Sequence, residues 1–235
     1  MKYFFDTEFI EGFRKPLFGK RSHFIDFISI GIVAEDGRTY YAISNQFEPN
    51  DADSWVKENV LYPLMRENGY DKPLSNLHGC LSYNKRAVKS IQKAIGKHPA
   101  VIAMEIQDFC RPNRDYSHEG ITVTYSEIKD PEFYAYYADY DWVVFCSMFG
   151  RMIDLPKGFP MYCKDLKQTF DEKAFNWFKK DIEFKKQYCF ENKLFSIEDD
   201  LKLLSNYPKQ ENEHNALDDA QWNFKLFKFL KTVRL

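Results

Sequence analysis

The chain has 235 residues, 44% of them hydrophobic and 17% aromatic, enough to fill the core of one large α/β domain and too apolar for a disordered chain. Its 33 Lys and Arg against 35 Asp and Glu leave a net charge of -2, which excludes a global positive field toward nucleic acid or membrane, so any polyanion must be held locally. The five scattered cysteines, Cys80, Cys110, Cys146, Cys163 and Cys189, form no C-x-x-C pair and suit a reducing cytoplasm. They argue against a disulfide framework or a zinc site. The N-terminus enters its first strand without a secretory leader, and no apolar run approaches the roughly 20 residues needed to span a bilayer, so a soluble cytoplasmic protein is expected.

Residues 2 to 6 read as a strand that runs into Asp6-Thr7-Glu8. Strand side chains alternate, so Asp6 and Glu8 share a face while Thr7 points away. Two carboxylates at ~4 Å repel by about 1 kcal/mol in water and about 4 kcal/mol at an effective dielectric near 20, a repulsion that a divalent ion reverses. The pair therefore reads as half of a Mg2+ site, although an isolated D-x-E is more often a strand end with a solvated acid.

Phe24 to Val33 is a second strand. An Asp36-Gly37 turn leads to a third over Thr39 to Ile43 and completes an antiparallel meander. Ser54 is positioned to cap a helix through Val60 with Pro63 beyond its end, Asn84 to cap one through Ile95, and Pro99 to open one through Phe109. Residues 111 to 120 read as a loop and Ile121 to Ser126 as a short strand.

Phe133 to Ala138 is strand-like, Asp139-Tyr140-Asp141 a turn, and Trp142 to Phe149 a buried helix closed by Gly150. Helical segments are expected near 164-171, 174-190, 197-205 and 215-231. Strands that begin antiparallel and later alternate with helices predict a mixed β-sheet flanked by α-helices, an α/β fold in one domain over 1-235.

Two further motifs carry chemistry. Asp141 falls where a strand meets a helix, the place where α/β sheets gather ligands, although an N-cap aspartate is the plainer account. His214 precedes the last helix and Asp218 or Asp219 lies in its first turns, so a histidine and a carboxylate can approach one metal from the same side. The plainer account there is a surface histidine followed by acids that favour a helix N-terminus.

Taken in order, Asp6-Thr7-Glu8, Asp141 and His214 with Asp219 five residues later resemble the DEDDh branch of the RNase H-like 3'-5' exonucleases, the superfamily of RNase T, oligoribonuclease and proofreading subunits. The opening Tyr3-Phe4-Phe5-Asp6-Thr7-Glu8-Phe9-Ile10-Glu11, the run Ile28 to Gly37, Tyr140-Asp141 with Cys146 and Gly150, and His214-Asn215-Ala216-Leu217 with Asp219-Ala220 are similar to a mycobacterial-type bacterial exoribonuclease family. The chain departs from that pattern in a longer 62-130 segment, read as a helical insertion within 62-110.

The resemblance implies an RNase H-like domain with Asp6, Glu8, Asp141 and Asp219 as ligands of two Mg2+, replaceable by Mn2+, and His214 as the general base. Phe9 and Ile10, directly after the metal pair, are expected to contact the 3'-terminal nucleotide. The implied partner is the 3' end of RNA, the product a nucleoside monophosphate, and a homodimer is plausible by the same resemblance. A deoxyribonuclease of the same fold and a catalytically idle nucleic-acid-binding module stand as alternatives. Two basic runs, Arg14 to His23 and 173 to 193, are candidate phosphate contacts, with a solvated loop and a salt-bridged helix as the plainer accounts.

Overall fold

The computed structural model describes residues 1–15, 19–70, 83–110, 130–179 and 206–232. Five strands form one mixed sheet in the order β3-β2-β1-β4-β5: β1 (Lys2–Arg14), β2 (Ser22–Ala34), β3 (Thr39–Ile43), β4 (Glu132–Ala135) and β5 (Lys164–Asp165). The first three pair antiparallel, while β1 with β4 and β4 with β5 pair parallel. This is the expected mixed sheet, consistent with an RNase H-like α/β fold.

β1 runs well beyond its expected end at residue 6, because β2 supplies ladder partners as far as Arg14. Asp6 and Glu8 therefore lie in mid-strand. The register slips beside them: Glu8 faces Ser29 but Phe9 faces Phe27, leaving Ile28 as the extra residue of a bulge in β2.

Alternation along β1 divides the core. Tyr3 and Phe5 enter a cluster with Phe133, Trp142 and Phe145 and with Ile102 and Ile106. These residues come from β4, from α4 (Ala138–Phe149) and from α3 (Pro99–Cys110). On the other face Phe4 is fully buried among Tyr134, Leu166, Phe170, Trp222 and Leu226, from β4, α5 (Leu166–Lys179) and α6 (Ala216–Thr232). Its ring lies 4.9 to 5.2 Å from those of Phe224, Phe227 and Tyr134. Aromatic pairs of this kind add about 0.5–1.5 kcal/mol each beyond burial. Ile10 belongs to a third cluster with Ile28, Leu61, Leu64 and Val88.

The first helix covers residues 54–67 and runs past its expected end at Val60. Asp53, not Ser54, caps it by accepting the Val56 N–H at 2.8 Å. It passes through a π-helical Lys57–Leu61 into α-helical Tyr62–Glu67, and the Tyr62 N–H reaches Lys57 O. The wider turn accommodates Pro63, whose ring would otherwise meet the preceding turn. We call this whole segment α1. Asn84 caps α2 (Lys85–Ala94) as expected.

α4 begins at Ala138, earlier than expected, so Asp141 sits in its first turns and not at the strand end. Tyr137 holds the N-cap position with φ 56 and no side-chain cap. Asp165 of β5 accepts the Ala138 N–H instead, at 3.0 Å. The helix expected at 164-171 opens as this short strand and becomes helical at Leu166. The readings at 111-126 and 197-205, and most of 174-190, lie outside the described residues. The basic run 173-193 also lies mostly outside them.

α6 lies across β1 and β2, and its close approach depends on Gly31. A Cβ there would run into the Ala216 carbonyl and the Leu217 Cα, and Gly31 is the ladder partner of Asp6. Asn223 adds a hydrogen bond from Nδ2 to Phe5 O at 3.0 Å. Gly31→Ala is expected to displace the start of α6 and destabilise the protein by about 1–3 kcal/mol, read as a lowered midpoint of thermal unfolding. An unchanged midpoint would show that the helix can lift off without cost.

Candidate active site

The face of β1 toward α6 reads Phe4, Asp6, Glu8, Ile10. Two carboxylates thus lie between two apolar clusters. Glu8 is 9% exposed. Asp219, projecting from the first turns of α6, and Asp141, from α4, are buried as well. Together with Thr7, Phe9, Glu11, His214 and three tyrosines, Tyr136, Tyr137 and Tyr140, these four acids line one open cleft of about 320 Å³.

Each acid is positioned differently. Asp141 accepts both the Thr7 N–H at 2.9 Å and the Thr7 hydroxyl at 2.6 Å. Thr7 does face away from Asp6 and Glu8, and in doing so it anchors the carboxylate of the opposite layer. This rules out the N-cap account of Asp141. Asp219 accepts from Gln210 Nε2 at 2.6 Å and from the His214 backbone N–H at 2.8 Å, so the turn holding the histidine is tied to the carboxylate five residues on. Asp218 instead accepts from Asn212 at 3.2 Å and does not line the cleft.

The helix cap itself is Asn215, whose Oδ1 accepts from the Leu217 and Asp218 N–H groups at 3.0 and 3.3 Å. His214 has φ 69, a left-handed conformation costly for a residue with a Cβ. Its ring and the carboxylates of Glu8 and Asp219 present potential ligand atoms all within 4.8 Å of one another.

Electrostatics set this cluster apart. Among the described residues no Lys or Arg pairs with any of the four acids. Burial, then the charges of Asp141, Glu8 and Asp219, hold the Asp6 carboxyl well above the usual range. Burial and the charges of Asp219 and Asp141 push Glu8 up to about 8. Burial lifts Asp141 to about 6 against the opposing Thr7 hydrogen bonds, and it raises Asp219 too. Four oxygen-donor groups, Asp6 half-buried and the other three buried, that resist carrying their charges fit a site for hard divalent cations.

The two residues expected to contact substrate part company here. Phe9 lines the cleft and stacks on Tyr140, with centroids 5.8 Å apart and planes 10° from parallel. Ile10 is fully buried in the third core cluster and does not line the cleft, because further along the face of Asp6 and Glu8 it is covered by Leu61 and Leu64 of α1. Sequence reasoning gave no role in the site to the tyrosines, Thr7, Gly31 or Gln210. Only the run Tyr136-Tyr137 and Tyr140 beside Asp141 offered a signal, an aromatic cluster next to a proposed ligand. Of the basic run Arg14 to His23, Arg14 ends β1 and is occupied by Asp26 and Asp51.

The sequence profile of the Rv2179c-like 3'-5' exoribonuclease domain matches residues 2–231. The chain belongs to this family. Among its relatives are the 3'-5' exoribonuclease Rv2179c of Mycobacterium tuberculosis strain H37Rv and the 3'-5' exoribonuclease MT2234.1 of strain CDC 1551. Each is 32% identical over 174 residues, covering 74% of this chain and 76% of the relative. Within this Rv2179c-like chain the matched span includes all four acids and His214. Among the described residues no helix is long and apolar enough to cross a membrane.

The raised carboxyl groups make stability depend on pH. In metal-free protein Glu8 holds its proton to about pH 8, whereas an unfolded chain releases it near 4.5. Between those values the folded state binds more protons than the unfolded one, so stability falls as pH rises. The unfolding midpoint of EDTA-treated protein is expected to drop across this window, and the double variant Asp6→Asn, Glu8→Gln to shrink the drop to the part that Asp141 and Asp219 contribute. A flat midpoint in the unsubstituted protein would contradict the burial of uncompensated acids.

Proposed function

We propose that the chain is a metal-dependent 3'-5' exoribonuclease of the DEDDh type, acting as one domain over 1-235 with residues within 62-110 as a helical addition. The observation that carries this reading is the convergence of Asp6, Glu8, Asp141 and Asp219 with His214 on one cleft, in a chain of an exoribonuclease family. Asp6, Glu8, Asp141 and Asp219 would hold two Mg2+, with Mn2+ able to substitute. Bound there, such ions supply a readily deprotonated water and neutralise charge on a phosphodiester.

The chain's own residues do the rest. His214 takes a proton from the attacking water; imidazole suits neutral pH and is a poor ligand for a hard ion. Phe9, backed by Tyr140, stacks on the terminal base, a contact that stabilises by about 1–3 kcal/mol and tolerates any sequence. Water adds to the last phosphorus while its bond to the 3' oxygen of the preceding nucleotide breaks, releasing a nucleoside monophosphate.

The deciding assay offers 5'-labelled RNA and DNA of one sequence to the protein with Mg2+ or with EDTA. A metal-dependent RNA ladder shortening from the 3' end is expected; preferred shortening of DNA would make the substrate DNA, and no cleavage with Mg2+ or Mn2+ would leave a binding module. His214→Ala should retain metal binding and lose about 10²–10⁴-fold in turnover. Asp219→Ala should lose both, while Asp218→Ala stays close to the unsubstituted protein; the reverse ranking would move the ligand to Asp218.

A further inference from the structure

Trp55 and Glu67 stand at opposite ends of α1, and each touches the turn that carries His214. The Trp55 ring meets the His214 ring edge-on, with centroids 4.7 Å apart and planes at 75°. At the other end both Glu67 carboxylate oxygens accept from Asn215 Nδ2, at 3.2 and 3.0 Å. Asn215 is the residue that caps α6. Two consecutive residues of one turn are therefore held by the two ends of one helix.

This turn needs support from outside itself. Asn212 and His214 both have left-handed backbones, φ 49 and φ 69, and such conformations persist only when the surroundings over-determine them. α1 can serve as a rigid frame, because Val60, Leu61, Leu64 and Met65 are buried in the cluster that also holds Ile10 and Ile28. Its π-helical Lys57–Leu61 lies between the two contact points and resets the angle between the directions in which they project. Trp55 is 51% exposed, so its side chain is not there to fill the core.

We infer that α1 is a brace for the general base, with Trp55 and Glu67 as positioning residues that keep the His214 imidazole beside Glu8 and Asp219. The inference rests on the reading of His214 given above. Proton transfer to a base requires hydrogen-bond reach of the water, and a displacement near 1 Å can cost about 10²-fold. Trp55 restricts the ring directly, whereas Glu67 restricts the backbone next to it through Asn215.

The test combines steady-state kinetics on 5'-labelled RNA with NMR of the His214 ring, whose signals are assigned by their loss in His214→Ala. Trp55→Ala is expected to lower kcat by about 10- to 100-fold with KM unchanged, and Trp55→Phe to recover most of the loss. Glu67→Ala should also lower kcat. In Glu67→Ala, which leaves the indole in place, the His214 ring signals should move as the imidazole shifts against it, and in Trp55→Ala thermal unfolding should stay cooperative; if it does not, Trp55→Phe and Glu67→Ala decide the matter. Wild-type turnover by His214→Ala would overturn the general-base reading, and the brace with it. An inactive His214→Ala beside wild-type kcat in Trp55→Ala and Glu67→Ala would overturn the brace alone. A raised KM with unchanged kcat in Trp55→Ala would make Trp55 a contact to RNA, and a lowered kcat with unmoved His214 signals in Glu67→Ala would also overturn the positioning role.

Discussion

The missing side chain at Gly31 governs how the site is assembled. β2 lies beside β1, Gly31 pairs with Asp6, and the first turn of α6 occupies the space that a Cβ would fill. Only at that distance does a helix residue such as Asp219 share a cleft with strand residues such as Asp6 and Glu8. Asn223 to Phe5 O and the packing of Phe4 under Trp222 and Leu226 hold the helix at the same height. Apolar burial around β1 thus provides the force that brings like charges together.

That arrangement works against the local electrostatics. Four largely buried carboxylates, paired with no Lys or Arg among the described residues, favour protonation. A fold that buries such a set accepts a loss in the absence of cations, which a bound cation can reverse. The positions are nonetheless well determined. Thr7 holds Asp141 through two hydrogen bonds, and Gln210 with the His214 backbone holds Asp219 through two more. Positioning by neutral donors leaves the charges available to a cation, whereas a guanidinium or ammonium would have neutralised them.

The cleft is chemically mixed. Acids and His214 line it together with the aromatic rings of Phe9, Tyr137 and Tyr140. Such a lining suits a ligand with a charged backbone and flat bases. In the proposed function it also reconciles the weakly negative net charge with a nucleic-acid substrate, since stacking and bound cations would take the place of a basic field.

Local pattern was sufficient where the physics is local. Period-two alternation placed Asp6 and Glu8 on one face and Thr7 on the other, and the last helix, expected at 215-231, runs over Ala216–Thr232. The meander also followed from short-range signals. Strand ends and helix starts did not, because they depend on remote partners: β2 extends β1 to Arg14, Asp165 lets α4 begin at Ala138, and a π-turn carries α1 past Pro63. In the site, residue types and their order along the chain pointed to the acids and the histidine. The roles of Thr7, Gly31, Tyr140 and Trp55, and the burial of Ile10, came only from the tertiary structure. Each is a contact between residues distant in sequence, and one-dimensional spacing carries no information about the layer a neighbouring strand or helix will occupy.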